Sequence, residues 1–207
     1  MVTDDRIVEY EHIEIRPADN NYNAAGEIRI DITNENVFTR PSDSYLLVEG
    51  VMDLAAGGNY AAGAEITLVK EGIMYLFSNI RYYINEKEVE SIYHPGHVQN
   101  MLSYLLEDNA YDSTMALAHC GGKDNHLNAA IADNSTGYRR RRNLILSSVP
   151  TGHFSFYIPL RRLFGFFRDY DKLVFGTTQR LVLVRKNGAD DSILRANTVG
   201  AGSVTLS

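Results

Sequence analysis

The sequence predicts an all-β fold, an antiparallel sandwich of the jelly-roll kind with one flanking helix. Short apolar or alternating segments, separated by turn residues, give about eight predicted strands. The 13 Tyr and 8 Phe residues supply aromatic bulk of the kind that strands favour. Strands and helices do not alternate regularly, which disfavours a parallel α/β sheet. A chain of 207 residues fits one such domain and can bury a core without disulfides.

The strand predictions begin with residues 26–34, where Ile28, Ile30 and Ile32 alternate with charged residues. A period of two is typical of a strand that is buried on one face only. Residues 153–160 show the same alternation, with aromatic side chains. The remaining strands are predicted from apolar runs, and they cover residues 45–52, 64–69, 80–84, 89–93, 143–148 and 173–185, the last range holding one or two strands.

One helix is predicted near residues 95–107. It begins at Pro95, because proline is well suited to the first turn of a helix. Five apolar residues then follow at the spacing of a single helical face, namely Val98, Met101, Leu102, Leu105 and Leu106. This spacing is typical of an amphipathic helix.

The predicted domain organisation is an N-terminal arm over 1–25, a jelly-roll domain over 26–186, and a tail or linker over 187–207 that leads toward a possible second jelly roll. The arm is polar, with a short edge strand possible where Ile13 and Ile15 alternate with charged residues. The last range is rich in Gly, Ala and Ser, which is the composition of a linker. Residues 53–63 and 109–136 are predicted loops, and a loop as long as the second usually carries contacts or function.

The formal net charge of −6 disfavours a main task in coating nucleic acid, which needs a dense positive surface. No apolar run approaches the ~18 residues of a membrane span. Residues 1–16 lack the apolar stretch of a signal peptide. We therefore expect synthesis in the cytoplasm and no membrane insertion. The single cysteine, Cys120, excludes an internal disulfide.

Motifs for catalysis, cofactors or metals are missing from the sequence. Phosphate-binding and dinucleotide-binding glycine patterns do not occur, and no base can be assigned to activate Cys120. The paired histidines of metal-dependent cupins are also lacking, because no His-x-His occurs. A zinc site formed by His94, His97, His119 and Cys120 can be imagined, but we favour a helix-entry turn followed by a surface loop. The prediction is a protein without enzymatic activity, cofactor or metal.

Two ordered groups of motifs resemble a known family. The first is 72–90, a strand, polar turn and strand that leads into the helix at Pro95. The second comprises 154–160, 163–166, 169–172 and 181–185, with 45–50 as an early core strand. This series is similar to the first jelly roll of double jelly-roll major capsid proteins of eukaryotic DNA viruses. It is closer still to virus-derived double jelly-roll-like proteins encoded in invertebrate genomes. The resemblance covers roughly 26–186, whereas the family has two tandem jelly rolls.

The resemblance implies a structural subunit of a viral or virus-derived shell, with a homotrimer as its working unit, a helix packed beside the barrel, and the virion as its location. Clustered arginines bind phosphate or acidic neighbours, and an exposed aromatic corner indicates a partner surface. The candidate subunit-contact residues are Arg139, Arg140, Arg141, Arg142, Phe164, Phe166 and Phe167. For the arginines we favour an ion pair between subunits over nucleic-acid contact; for the phenylalanines, core packing is the competing interpretation.

The alternative function is a non-enzymatic binding module of virus-derived origin in a host, with a glycan or protein ligand. Glycan sites favour an exposed aromatic ring among Asn and Asp residues. Tyr111 with Asp112, or Asn134 with Tyr138, would provide such a ring.

Overall fold

The structure is a computed structural model that describes residues 9–19, 22–33, 36–61, 63–124, 136–188 and 190–207. The strands are β1 Glu27–Thr33, β2 Tyr45–Leu54, β3 Ile66–Leu68, β4 Phe77–Ile84, β5 Lys87–Tyr93, β6 His153–Pro159, β7 Thr178–Arg185, β8 Ile193–Arg195 and β9 Gly202–Leu206. The helices are α1 Gly72–Tyr75, α2 Pro95–Leu106, α3 Asn109–Thr114, α4 Thr136–Leu146, α5 Leu160–Leu163 and α6 Gly165–Asp169. Short 3-10 turns cover Pro41–Asp43, Ala116–His119 and Asp190–Ser192.

The strands form antiparallel sheets, which confirms the all-β prediction. One sheet has the order β1-β7-β4-β5, a second has the order β6-β2-β9, and β3 pairs with β8. Buried side chains from both larger sheets belong to one hydrophobic cluster. The alternation in β1 and β6 has the predicted effect, because Ile28, Ile30, Phe154, Phe156 and Ile158 are buried. The period of two therefore identified the inward faces correctly.

The C-terminal range, interpreted from composition as a tail or linker, contains strands that pair within the domain. Strand β8 pairs with β3, and β9 pairs with β2 in the register Met52↔Val204. Val204 and Leu206 are buried, whereas Thr205 between them is exposed. This short alternation was masked by the glycines and alanines around it. Whether a second jelly roll follows Ser207 stays a prediction.

The predicted strand at 143–148 is wrong, because most of this range lies in helix α4. The buried positions of α4 include Tyr138, Arg141 and Ile145, which are three or four residues apart. This is helical spacing. An arginine occupies the middle of the buried stripe, so the stripe does not appear as an apolar pattern in the sequence.

The predicted loop over 109–136 is also more ordered than expected. It contains α3 and the 3-10 turn Ala116–His119, and it ends at the first residue of α4. His119 and Cys120 are buried, which corrects their placement in a surface loop. Residues 125–135 of this range lie outside the described residues.

The N-terminal arm has no strand within its described residues 9–19 and 22–25. It contacts the domain through side chains and through a hydrogen bond from the Ala25 N–H to the carbonyl oxygen of Lys186 over 3.5 Å. Ile15 and Tyr22 pack against the hydrophobic core, and the Tyr10 hydroxyl donates a hydrogen bond to Asp43 over 3.4 Å. In the part of the chain that the structure covers, no helix has the length and apolar character needed to cross a bilayer.

Helix α2 forms at the predicted position, but its polarity is inverted. It packs against α1, β4 and α5 through a polar face, where Gln99 and Ser103 are buried. Its apolar residues Met101, Leu105 and Leu106 are 63%, 79% and 69% exposed. A surface helix normally buries its apolar stripe. The inversion requires polar partners in the interior, and these form the cluster described next.

Candidate functional site

A group of charged side chains lies buried where α2, α5 and the segment before α1 meet. Lys70 and Glu71 come directly before α1, Glu107 caps the C-terminal end of α2, His119 ends a 3-10 turn, and Arg162 belongs to α5. Each of these side chains except Arg162 is almost fully buried, and Arg162 is 16% exposed. We call these five residues the charge cluster. Its members come from segments spread over more than 90 residues of sequence.

Arg162 connects the two carboxylates of the charge cluster. Its Nη2 lies 3.3 Å from Glu71 Oε1 and forms an ion pair with Glu107 Oε1. Its Nη1 donates a hydrogen bond to the Tyr111 hydroxyl over 3.2 Å. The ring of His119 lies between Glu71 and Tyr111, with Nδ1 3.2 Å from Glu71 Oε2 and Nε2 3.2 Å from the Tyr111 hydroxyl. These contacts link α5, α3 and the segment before α1.

Lys70 is the second cation of the charge cluster. Its Nζ lies 3.9 Å from Glu107 Oε2 and 3.9 Å from the centre of the Tyr104 ring. Burial lowers the pKa of Lys70, and the carboxylates of Glu107 and Glu71 oppose this effect. Burial also acts to lower the pKa of Arg162, but Glu71 and Glu107 outweigh it and raise this pKa. The two carboxylates are therefore matched by two cations.

Local backbone geometry brings the cluster together. Glu71 has φ of 58°, in the left-handed region that few non-glycine residues adopt. Gly96 permits the close contact of α2 with α1, because a Cβ atom there would lie 2.5 Å from the Tyr75 ring. Gln99 then donates a hydrogen bond from Nε2 to the carbonyl oxygen of Arg162 over 2.6 Å. The polar face of α2 thus contacts the backbone of α5, and Glu107 at the end of α2 contacts the side chain of Arg162.

Three side chains of the cluster offer donor atoms at metal-site spacing. One atom each from Glu71, Glu107 and His119 lies within 4.8 Å of the others. However, the guanidinium of Arg162 already contacts both carboxylates. A divalent cation would add two positive charges to a buried group whose carboxylates are matched, which is costly in a region of low dielectric. The arrangement thus fits a buried ion-pair network better than a metal site.

The histidines and cysteine considered from the sequence do not converge. His94 and His97 are exposed at the start of α2, with ring centres 6.3 Å apart. His119 instead faces Glu71. The Cys120 thiol lies 3.7 Å from the carbonyl oxygen of Val69. Sequence reasoning missed the charge cluster; the adjacent charges of Lys70 and Glu71 after an apolar strand were the signal available.

The four consecutive arginines have different environments. Arg141 is fully buried and donates hydrogen bonds to backbone carbonyls and to Asp124, so in the isolated chain it has no surface for a neighbouring subunit. Arg139 is exposed, and Arg140 and Arg142 are partly buried. A subunit-contact role for these three stays a prediction.

The aromatic corner is mostly part of the core. Phe164 and Phe167 are buried against the ring of Tyr82 at centre distances of 6.0 and 4.6 Å. The burial matches the core-packing interpretation of these two residues. Phe166 is partly exposed and stacks on Tyr170 at 5.1 Å, so it retains surface for a partner. Its contact role stays a prediction.

The main exposed apolar surface on a helix is the outer α2 face, which we define as Met101, Tyr104, Leu105 and Leu106. All four side chains are more than half exposed. The sequence of α2 contains no Asp, Glu, Lys or Arg. Exposed apolar side chains in this number on one short helix are typical of a surface that contacts a partner.

A second surface feature is an open cleft beside β6, with a volume of about 510 Å³. Its lining includes Glu49, His153, Ser155 and Tyr157. Tyr111 and Tyr138, the aromatic residues considered for glycan binding, do not line this cleft. Tyr138 is buried, and the Tyr111 hydroxyl accepts a hydrogen bond from Arg162 of the charge cluster. Asn134 lies outside the described residues.

Comparisons with known proteins confirm the resemblance seen in the sequence. The family described as "Double jelly roll-like domain" matches residues 66–207, and therefore includes β8 and β9. Two solved structures are similar. The PBCV-1 virus capsid quasi-atomic model is 12% identical with a TM-score of 0.36, covering 97% of this chain and 43% of that chain. PBCV-1 VP54 fitted into a reconstruction of the virophage Sputnik is 12% identical with a TM-score of 0.35, at the same coverages. The chain thus spans less than half the length of these structures. No curated protein matches the chain.

Proposed function

Because the chain belongs to the double jelly roll-like domain family, we propose that it is a capsid-type structural subunit that assembles with copies of itself. Family membership over residues 66–207 is the observation that carries this proposal. The proposed working unit is a homotrimer, and the proposed place of action is a viral or virus-derived shell. The proposed role needs no catalysis, cofactor or metal, and contact with nucleic acid is not part of it.

Surface chemistry supports assembly as the function. The outer α2 face is apolar and open to solvent. Tyr45, Leu47 and Tyr157 on the outer side of β2 and β6 are also exposed. Shells are built from several modest interfaces that are closed by symmetry, and each such interface needs surface of this kind.

The test is the mass of the purified chain in solution over a concentration series. Analytical ultracentrifugation from low micromolar to several hundred micromolar should show mass increasing with concentration to trimers or larger particles, and electron microscopy should show defined assemblies. A monomer at every concentration would overturn the proposal. The series should be repeated at high salt, because salt screens the electrostatic repulsion between acidic subunits. Many weak contacts acting together should then stabilise the larger assemblies.

A second candidate function, a glycan or protein binding module, is favoured by the cleft beside β6. Its volume of about 510 Å³ and its mixture of polar groups with Tyr157 suit a small ligand. A glycan array probed with the labelled monomer tests it. A specific signal that Tyr157→Ala removes would favour the binding module, whereas an empty array with concentration-dependent assembly would favour the shell subunit.

A further inference from the structure

We infer that two copies of this chain contact each other through the outer α2 face, and that the charge cluster holds this face outward. The inference rests on the proposed self-assembly and names the surface that performs it. It is carried by three observations on the described residues: the inverted polarity of α2, the buried ion pairs beneath it, and the missing charge on its exposed side.

The inverted polarity is the first step. Leu105 is 79% exposed, whereas Gln99 and Ser103 on the opposite side of the helix are buried. A helix at the surface of a monomer would gain free energy by the reverse arrangement, because water disfavours exposed apolar side chains. The arrangement becomes favourable when the outer face is covered by a partner.

The charge cluster explains why α2 does not rotate to bury its apolar side. Glu107 at the end of the helix is ion-paired with Arg162 and faces Lys70. Gln99 Nε2 donates a hydrogen bond to the carbonyl oxygen of Arg162. Rotation would separate Glu107 from two buried cations, and buried charges without a partner are strongly unfavourable. The buried polar side therefore determines which side of α2 meets a neighbour.

The absence of charged residues in α2 favours a second copy as the partner. The chain has a net charge of −6, so two copies repel each other in most orientations. In a twofold contact, such as one between two trimers, each residue near the twofold axis lies close to its own copy, so a charged patch there would place like charges together. Residues 95–106 avoid this, because they contain no charged side chain. Met101 and Leu105 are four residues apart and form a ridge that can pack beside the same ridge of another α2.

The exposed area sets the scale of the contact. Four side chains, each more than half exposed, provide several hundred Å² of mostly apolar surface. A standard interface buries about 800 Å² on each partner. The outer α2 face thus supplies the centre of an interface of ordinary or small size, which suits a subunit that makes several contacts.

The first test substitutes the two residues of the ridge and compares the effect on self-association with that of a substitution elsewhere on the surface. The double variant Met101→Glu/Leu105→Glu is expected to weaken self-association at least tenfold in sedimentation velocity. The control is Val149→Glu, which replaces an apolar side chain that is 97% exposed elsewhere on the surface. The self-association constant of this control should stay within twofold of that of the unchanged chain. All three positions are exposed, so circular dichroism and thermal unfolding should show that both variants fold.

The second test detects the contact between two copies by cysteine crosslinking. In Leu105→Cys, a short bis-maleimide crosslinker should join two copies, because residue 105 lies on the ridge near its own copy. Val149→Cys should crosslink far less, and Cys120 should not react because it is buried. Assembly that is unchanged in the double glutamate variant and gives no 105–105 crosslink would overturn this inference and leave the proposed function standing. A chain that never assembles would overturn both.

Discussion

Arg141 Nε donates a hydrogen bond to the carbonyl oxygen of Leu68 over 3.0 Å, at a position where the arginine side chain is fully buried. The same guanidinium donates to Gly122 O over 2.6 Å and to Asp124 Oδ2 over 2.8 Å. Arg141 therefore joins α4 to β3 and to the segment after residue 119. One of the four consecutive arginines is therefore a buried structural residue of the domain.

Replacing Arg141 should destabilise the fold strongly. Arg141→Met keeps much of the side-chain volume but leaves the carbonyls of Leu68 and Gly122 without their donor. Breaking a buried charged interaction costs about 3–5 kcal/mol. Urea unfolding followed by circular dichroism measures the difference. Arg139→Met is the matched control, because Arg139 is an exposed neighbour on α4 and a surface change costs within about 0.5 kcal/mol. Equal stabilities would contradict the structural role of Arg141.

The sequence could predict those parts of the fold where one face is apolar and the other polar. The alternation of Ile28 and Ile30 identified β1, and Pro95 with the following apolar spacing located α2. It could not predict α4, because Arg141 occupies a core position and interrupts the apolar stripe. Whether a long polar side chain lies inside depends on carbonyl partners from distant segments, and those are known only once the chain is folded.

The charge cluster was hidden for the same reason. Glu71 and Arg162 are 91 residues apart, and a single sequence does not show that they meet. Helix α2 illustrates the opposite limit. Met101, Leu105 and Leu106 were recognised as part of one helical face, but the spacing of apolar residues does not determine which side of a helix faces solvent. That choice follows from Glu107 and Gln99, whose partners are on other elements.

Removing Arg162 should test the charge cluster. Arg162→Met leaves Glu71 and Glu107 buried without their shared cation, and we expect a loss of about 3–5 kcal/mol in the free energy of unfolding. Adding Glu107→Gln to this variant should recover part of the loss, because the remaining cation, Lys70, then faces a single buried carboxylate, that of Glu71. Arg161→Met is the matched control on the same helix, since Arg161 is exposed. Additive effects of the two changes in chemical denaturation would refute the coupling.

Gly50 should be intolerant of a side chain. A Cβ atom at this position of β2 would lie 2.4 Å from the carbonyl oxygen of Thr205 in β9 and 2.8 Å from Cζ of Phe154 in β6. Gly50→Ala must displace one of the two neighbouring strands, and we expect a loss of about 1–3 kcal/mol. The control is Gly63→Ala, where no described atom apart from chain neighbours lies within 4 Å of the added Cβ. Thermal unfolding compares the two. A harmless Gly50→Ala would argue against the pairing of β9 with β2.

Cys120 provides a pH-dependent prediction. Burial raises the pKa of its thiol to about 12, well above the ordinary value of a cysteine thiol. At pH 8 the folded protein thus holds a protonated, inaccessible thiol, whereas the unfolded chain exposes one that ionises readily. Ellman's reagent should react slowly with the native protein and rapidly in concentrated urea. Fast reaction of the native protein, with its circular dichroism unchanged, would show that the thiol is open to solvent.

The same pKa difference gives the sign of a stability change at alkaline pH. Between pH 9 and about 12 the unfolded thiol loses its proton while the folded thiol retains it. The native state then binds more protons than the unfolded state, so the free energy of unfolding falls as the pH rises. Tyr82 adds to this decline above its ordinary pKa, because burial raises the pKa of its hydroxyl as well. Urea unfolding of Cys120→Ala and of the unchanged chain at pH 8, 9 and 10 separates the two contributions. The variant should lose less stability over this interval, and identical slopes would mean that the thiol is not held protonated by the fold.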